Sequence, residues 1–495
     1  MLKLSRRAAL LGAGAAIGVL GARRWGAQNP SLDGTASLVP SGGKGLLNDA
    51  SGLSETPIAK HVTLTEDVGE ALVGRLRAEI ADAAAEGRPV ALSAARHSMG
   101  GQSIPREGHA ITCDNGAVEA DVTNGVYHVH SGARWSQVIA ALDPIGFSPK
   151  VMQSNNDFGV ASTFCVNAHG WPVPHGPMGS TVRAFRMVTA DGDWITCSRE
   201  ENTDLFAMTM GGYGLTGLIT DLTVEMAPNL RLLPTYEEVP GTAVGRALVD
   251  AVADPAVNMA YGRLNVDRGR FFEDGLLISY RPDADQSDLP VASDSGALSK
   301  ISRNIFRAQL GNERVKRGRW WVETDLGPRI GGGAVTRNSL INEPVVTLDD
   351  GDPTRTDILH EYFVAPDRFA EFIAACQDVI PASFQEMLNI TLRYVAADAE
   401  SWLSYAPVPR IAAVMLFSQE MTQRAEADMA RMTNALIERV LTSGGTYYLP
   451  YRLHASQAQF VGAYPRAAEF AAEKRRIDPD LRFRNALWDR YLEAL

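Results

Sequence analysis

Ser93-Ala94-Ala95-Arg96-His97-Ser98-Met99-Gly100-Gly101-Gln102-Ser103 is the stretch on which the fold turns. Its first residues end the run 89–94, which is short, follows Gly87 and reads as a buried strand. Chain that exits a strand through small residues and glycines turns several backbone N–H groups to one side. Such a nest holds an anion, phosphate above all, and Arg96 adds a cation beside it. His97 puts an imidazole at the same place. Taken alone, the loop is equally compatible with a surface turn that carries an incidental histidine.

A second loop changes the reading. Asn155-Asn156-Asp157-Phe158-Gly159-Val160-Ala161-Ser162-Thr163-Phe164-Cys165-Val166-Asn167-Ala168-His169-Gly170 combines small residues with hydroxyls and ends in His-Gly. Glycine and alanine let backbone come close to a flat ring or a polyol chain. His169 and His175 raise the question of a metal. Trp171, Pro172 and Pro174 stand between them and no carboxylate is near in sequence, so no metal site is expected.

Outward from these loops the pattern is mixed. Val68, Leu72, Leu76 and Ile80 recur every four residues and predict a helix capped by Thr65 and ended by Gly87. Strands are expected at 110–113, 127–130 and 218–226, and helices at 135–142 and 202–210. Asp191-Gly192 between two alternating runs signals a hairpin. From 231 to 445, helical patterns (366–379, 421–441) alternate with strands (359–364, 388–395, 411–417). That is the signature of helices on one face of an antiparallel sheet. The segment 281–319 reads as a surface excursion. Its basic cluster, Arg303, Arg307, Arg314, Lys316, Arg317 and Arg319, reads as a solvated face beside a buried Trp320-Trp321 pair.

One motif misleads. Gly212-Tyr213-Gly214-Leu215-Thr216-Gly217 fits G-x-G-x-x-G, but a dinucleotide fingerprint follows a strand and opens a helix. Here a helix precedes and a strand follows, so the stretch is expected to be a turn.

Bulk properties agree with a globular protein of two or three domains. The chain has 495 residues, 45% hydrophobic and 21% charged. Net charge is -11, from 58 acidic and 47 basic residues, which argues against a nucleic-acid partner. Four cysteines, none in a CxxC pair, argue against structural zinc and a disulfide scaffold. Ser5-Arg6-Arg7 precedes an apolar run over 8–22, too short for a membrane span of about 20 residues. Residues 1–25 are therefore expected to be a Tat-like export leader, placing the protein in the periplasm or cell envelope. Residues 26–56, rich in Gly, Ser, Pro and Asp, read as a linker.

Together the two loops resemble the vanillyl-alcohol oxidase superfamily, flavoproteins with a PCMH-type FAD-binding domain. Residues 181–226 and the closing Asp478-Pro479…Phe483-x-Asn485 follow in that family's order, and the similarity spans about residues 55–230 and 385–495. The resemblance implies an α+β fold. It comprises a two-part PCMH-type FAD-binding domain (57–230), an α+β cap domain with an antiparallel sheet (231–445) and a C-terminal segment (446–495) that returns to the FAD domain. It implies FAD held by Ala94, Ala95, Arg96, His97, Ser98, Thr163, Asn167, His169, Gly170, Ile219 and Asn485. The Arg-His-Ser form is most similar to alditol oxidases and their sugar-lactone oxidase relatives. In those the matching histidine carries FAD covalently, at the flavin 8α carbon, and His97 is expected to do so here. Cys165 is not in the context of the second, cysteinyl link of berberine-bridge enzymes, so one link is expected.

The resemblance also points into the cap. Asn389-Ile390-Thr391-Leu392-Arg393 is similar to the alditol-oxidase stretch in which a Glu and an Arg face flavin and substrate. Arg393 is kept and Thr391 replaces the Glu. Leu449-Pro450-Tyr451-Arg452 stands where those oxidases have His-Trp-Gly-Lys, and Glu361 lies in a segment similar to one of the lactone oxidases. Arg393, Arg452 and Glu361 are the expected catalytic set, with Glu361 equally able to pair with either arginine. The loss of polar groups puts a polyol substrate in doubt. A small organic alcohol, lactone or related substrate is expected, with oxygen or a quinone as electron acceptor; the alternatives are a quinone-linked dehydrogenase or reductase on the same scaffold, or a binding protein that keeps FAD without catalysis. Membrane contact is expected only through the leader.

Overall fold

In a computed structural model, residues 35–293, 306–330, 333–344 and 351–495 are described. The leader, the first residues of the expected linker and Arg303 lie outside them. Among the described residues no helix is long and apolar enough to cross a membrane.

Three sheets organise the chain. A parallel three-stranded sheet has the order Lys60–Leu64, His109–Cys113, Val90–Ser93. The helix Gly69–Ala85 covers it with Leu72, Leu76 and Ile80. That helix starts four residues after the predicted cap. Lys60–Leu64 is held by the pairing to His109–Cys113, so the chain still has to turn over 65–68, and Val68 becomes an N-cap without a side-chain bond. A six-stranded antiparallel sheet follows, with Val182–Val188 between Trp194–Ser198 and Leu218–Pro228. The hairpin signal and the strand at its far side are thus met. Residues 211–217 form a turn after the helix Thr203–Thr209, with Gly211, Tyr213 and Gly214 at positive φ. This is the order that the sequence anticipates, and it provides no helix N-terminus for a pyrophosphate.

The third sheet has eight strands. Its centre is Met259–Leu264, Glu386–Val395, Arg410–Glu420 and Arg355–Val364, all antiparallel neighbours. The helices Val244–Ala253 and Gln423–Thr442 pack against it, and Phe369–Val379 packs on Gln423–Thr442. Side chains alternate across a strand. Ile358, His360 and Tyr362 therefore point to the helices, while Asp357, Leu359 and Glu361 line the cavity on the other side. The same parity puts Ile390 and Leu392 in the helical core and Asn389, Thr391 and Arg393 on the cavity face.

Two segments differ from the sequence reading. Residues 35–56 are packed against the body instead of forming a free linker. Leu38 donates to the Met421 carbonyl, Thr356 donates to the Ser51 carbonyl, and Asp49 accepts from Gly101 N–H. Small polar residues serve here as turn formers with satisfied backbone. The basic segment forms the helix Glu313–Trp321 and divides its charges: Arg314 and Arg317 face solvent as expected, whereas the other described ones turn inward. Lys316 is buried between Glu313 and Glu386, and Arg307 pairs with Asp357 at 2.6 Å. It is Trp321 that stands exposed. Burying those cations next to carboxylates from distant strands overrides the local polarity of the sequence.

The C-terminal segment meets two sheets. Thr446–Tyr447 adds an edge strand beside Arg355–Val364. Val90 then donates to the Arg482 carbonyl, and Phe483 enters the core under the parallel sheet. The intervening Lys474–Asp478 pair is fully buried.

Candidate active site

One cavity of about 1000 Å³ runs between the loop 93–103 and the cavity face of the eight-stranded sheet. That volume is at the upper end of the roughly 300–1,000 Å³ usual for ligand sites. Ala94, Ala95, Arg96, His97 and Ser98 line it, as do Thr163, His169 and Ile219. Glu361 and Arg393 line it from the sheet.

The loop is built to make a sharp exit from its strand. Arg96 has φ 52°, unusual for a long side chain. It is held there by its carbonyl, which accepts from Ala50 N–H, and by its guanidinium, which donates to Thr112 Oγ1 at 2.8 Å. His97 follows at once. Its ring stacks on Phe158 at 4.2 Å between centroids. Burial lowers the His97 pKa, with Arg134 adding to the effect and Asp157 opposing it. The imidazole is therefore neutral at neutral pH and keeps a nucleophilic lone pair. The second loop comes very close: a Cβ on Gly159 would meet the Ala94 Cβ at 2.4 Å.

On the sheet side, Glu361 is the hub. Its Oε1 contacts His169 Nε2 and its Oε2 accepts from the Tyr451 hydroxyl at 3.2 Å. The sequence shows no carboxylate near His169 because this one is 192 residues away. Neither arginine proposed as its partner takes that place. Arg393 is buried and donates weakly, to the His169 carbonyl at 3.3 Å and Ser154 Oγ at 3.2 Å. Its Nε has no partner. Burial lowers its pKa, with Glu361 the leading opposing influence. Arg452 does not line the cavity. It pairs with Glu426 at 2.6 Å and donates to the Met99 carbonyl at 3.2 Å.

Tyrosines complete this end. Tyr448 and Tyr451 line the cavity, and their rings meet edge to face at 5.6 Å. Burial raises the phenols of both well above their ordinary value, and Glu361 adds to this. They stay protonated and act as donors. Trp171, also on the wall, stacks on Tyr261 at 4.4 Å.

Three expected cofactor residues frame the site without lining it. Asn167, at φ 46°, accepts from Gly179 N–H and donates to Asp398 and Ser401. Gly170 has no room for a side chain, since a Cβ would lie 1.9 Å from the Met152 carbonyl. Asn485 donates to the Tyr213 carbonyl and accepts from Leu487 and Trp488 N–H. Tyr451, Trp171 and Phe158 were not singled out from the sequence. Asn389 was readable, since with Thr391 and Arg393 it makes a polar alternation in an otherwise apolar strand.

Comparison with known proteins names the ligand. Residues 73–198 match the sequence profile of the FAD binding domain family. A protein of Neurospora crassa named D-arabinono-1,4-lactone oxidase is 28% identical over 118 residues, 24% of this chain and 21% of that protein. Cytokinin dehydrogenase 7 of Oryza sativa subsp. japonica is 31% identical over 147 residues, 28% of each chain. Cytokinin dehydrogenase 1 of Arabidopsis thaliana is 27% identical over 137 residues, 27% of this chain and 24% of that one. The matched stretch is thus less than a third of each of these relatives. The chain carries a PCMH-type FAD-binding domain, similar to those of sugar-lactone oxidases and cytokinin dehydrogenases, and its cofactor is FAD. The cavity suits it: small residues along 93–95, a close second loop, and buried polar atoms of Ser103, Gln153 and Arg393 without protein partners.

Proposed function

We propose that this chain is an FAD-dependent oxidoreductase that takes a hydride from a small organic alcohol, lactone or related substrate. FAD is held covalently through His97. Residues 57–230 form the FAD-binding domain and 231–445 the cap over it. The observation that carries this reading is the single cavity shared by the His97 loop and the Glu361, Arg393 and Tyr451 side chains.

Bound FAD supplies the hydride acceptor. The protein supplies the rest. Oxidising a CH–OH group requires the hydroxyl proton to leave as the hydride departs. The phenols here hold their protons and donate them within the protein, Tyr448 to the Val166 carbonyl and Tyr451 to Glu361, so the Glu361–His169 pair is the proton acceptor and Tyr451 sets the orientation of its carboxylate. The Arg393 cation stabilises negative charge that develops next to it. Burial pushes the Cys165 thiol up to about 12, which leaves it a poor nucleophile and favours one covalent link. Residues 1–25 act as a Tat-like leader that delivers the folded flavoprotein to the cell envelope.

The test is a substrate panel of polyols, aldonolactones, hydroxy acids and aromatic alcohols, added under argon to the purified yellow protein. Bleaching by one class identifies the substrate, and reoxidation by oxygen or a quinone identifies the acceptor. Protein that binds no flavin, or flavin that no substrate reduces, overturns the reading.

A further inference from the structure

Residues 448–452 carry two sets of contacts on one short strap. On the substrate side, Tyr448 N–H donates to the Glu361 carbonyl and the Tyr451 hydroxyl donates to the Glu361 carboxylate. On the other side the same residues grip the loop just after His97. Met99 N–H donates to the Pro450 carbonyl at 2.7 Å. Gln102 Nε2 donates to the carbonyls of Leu449 at 2.6 Å and Tyr451 at 2.9 Å, while its Oε1 accepts from Gly100 N–H. Arg452 returns the grip, donating to the Met99 carbonyl and to Ser54 Oγ while Glu426 holds its other nitrogen. The approach is so tight that a Cβ on Gly100 would lie 2.5 Å from the Tyr451 carbonyl.

The loop is therefore clamped on two sides. Phe158 stacks on the His97 ring, and the strap fixes the backbone from Met99 to Gln102. We propose that Gln102 and Arg452 are positioning residues for flavin attachment: through the strap they fix the loop that presents the His97 imidazole. This rests on the reading that His97 carries FAD. Attachment breaks one C–H bond of the 8α-methyl group and makes one C–N bond to the ring nitrogen, and the imidazole gives up one proton. Two protons and two electrons leave in all, and dioxygen takes them as hydrogen peroxide. The geometry of the attacking nitrogen governs such a step, and a displacement of about 1 Å costs about a hundredfold in rate.

The experiment compares full-length wild type with Gln102→Glu, Arg452→Met and Arg452→Lys. Total FAD is read by visible absorbance, covalent FAD by in-gel fluorescence after acid precipitation, and folding by thermal melts. Gln102→Glu turns the donor into a carboxylate facing two carbonyls, and Arg452→Met removes the bond to Met99. Both are expected to keep total FAD and to lower the rate of covalent attachment by about tenfold. Arg452→Lys should recover part of it. Covalent shares equal to wild type in both Gln102→Glu and Arg452→Met overturn the proposal and leave the His97 reading intact. Loss of covalent FAD only in step with total FAD and melting temperature also overturns it. Should Gln102→Glu fail to fold, Arg452→Met decides. Wild type without covalent FAD overturns the His97 reading and this proposal together.

Discussion

Replacing Arg393 by Met separates catalysis from folding, because the two have opposite signs. Arg393 is a buried cation whose bonds, at 3.2 and 3.3 Å, go to neutral oxygens, and its Nε has no partner. Among the described residues Arg393 makes no ion pair; the carboxylate of Glu361, which comes nearest in effect, is engaged by His169 and Tyr451. An unpaired buried charge is costly, and an apolar residue of similar volume in its place is often neutral or stabilising, by up to about 4 kcal/mol. Arg393→Met should thus melt at or above the wild-type temperature. Catalysis should move the other way. A cation about 4 Å from developing negative charge is worth about 4 kcal/mol at an effective dielectric of about 20. Removing one such preorganised donor from an enzyme typically costs about 2.7–4 kcal/mol. A conservative floor is a tenfold slower flavin reduction, about 1.4 kcal/mol of barrier. Stopped-flow reduction under argon and a thermal melt on the same sample read both quantities. An unchanged reduction rate refutes the reasoning, and a lower melting temperature with that unchanged rate makes Arg393 a framework residue.

Three further outcomes are expected. His97→Ala should bind FAD that acid precipitation releases, with a lower flavin potential, whereas wild-type FAD stays with the protein; wild-type flavin that washes out in acid contradicts the link. His360 is buried against Tyr362 and Thr433, with His454 and Glu426 nearby, and burial lowers its pKa to about 3. The unfolded chain takes up its proton below about 6.5 and the folded chain does not until about 3, so stability is lost as pH falls through that window; His360→Phe should flatten the fall in melting temperature from pH 7 to pH 4, and a parallel fall would show that other groups dominate. Replacing Arg6-Arg7 by Lys-Lys should leave flavinylated protein in the cytoplasm, read by cell fractionation, and a native protein already cytoplasmic with Met1 intact contradicts the export reading.

What the sequence made legible is what local chemistry decides. The loop 93–103 is recognisable because the need for small residues, a tight exit and an imidazole falls within eleven consecutive positions. The hairpin at Asp191-Gly192 and the turn at 211–217 are legible for the same reason, since the order of elements around them is itself local. Polarity was less reliable where partners are distant. The cluster around Lys316 reads as a solvated face only until Glu386, seventy positions on, supplies the counter-charge. Residues 35–56 read as a linker because their partners, Gly101, Thr356 and Met421, belong to other parts of the chain.

The assignment of Arg452 shows how fine that limit is. Residues 449–452 lie beside the cavity, yet the side chain that enters it is Tyr451 and not Arg452. In extended chain, adjacent residues point to opposite faces, so a placement that is right to within one position can still choose the wrong side chain. In the strands 355–364 and 386–395 the parity is readable, because Ile358 and Tyr362, or Ile390 and Leu392, must enter the helical core and thereby send Glu361 and Arg393 to the cavity. The strap has no such apolar alternation: Leu449, Pro450, Tyr451 and Arg452 offer no pattern that assigns a face. Its orientation is set by contacts from outside. Glu426 draws Arg452 away, and Glu361 draws the Tyr451 hydroxyl in. A guanidinium turned from the cavity then becomes a brace for the His97 loop, and a phenol takes the place next to the carboxylate.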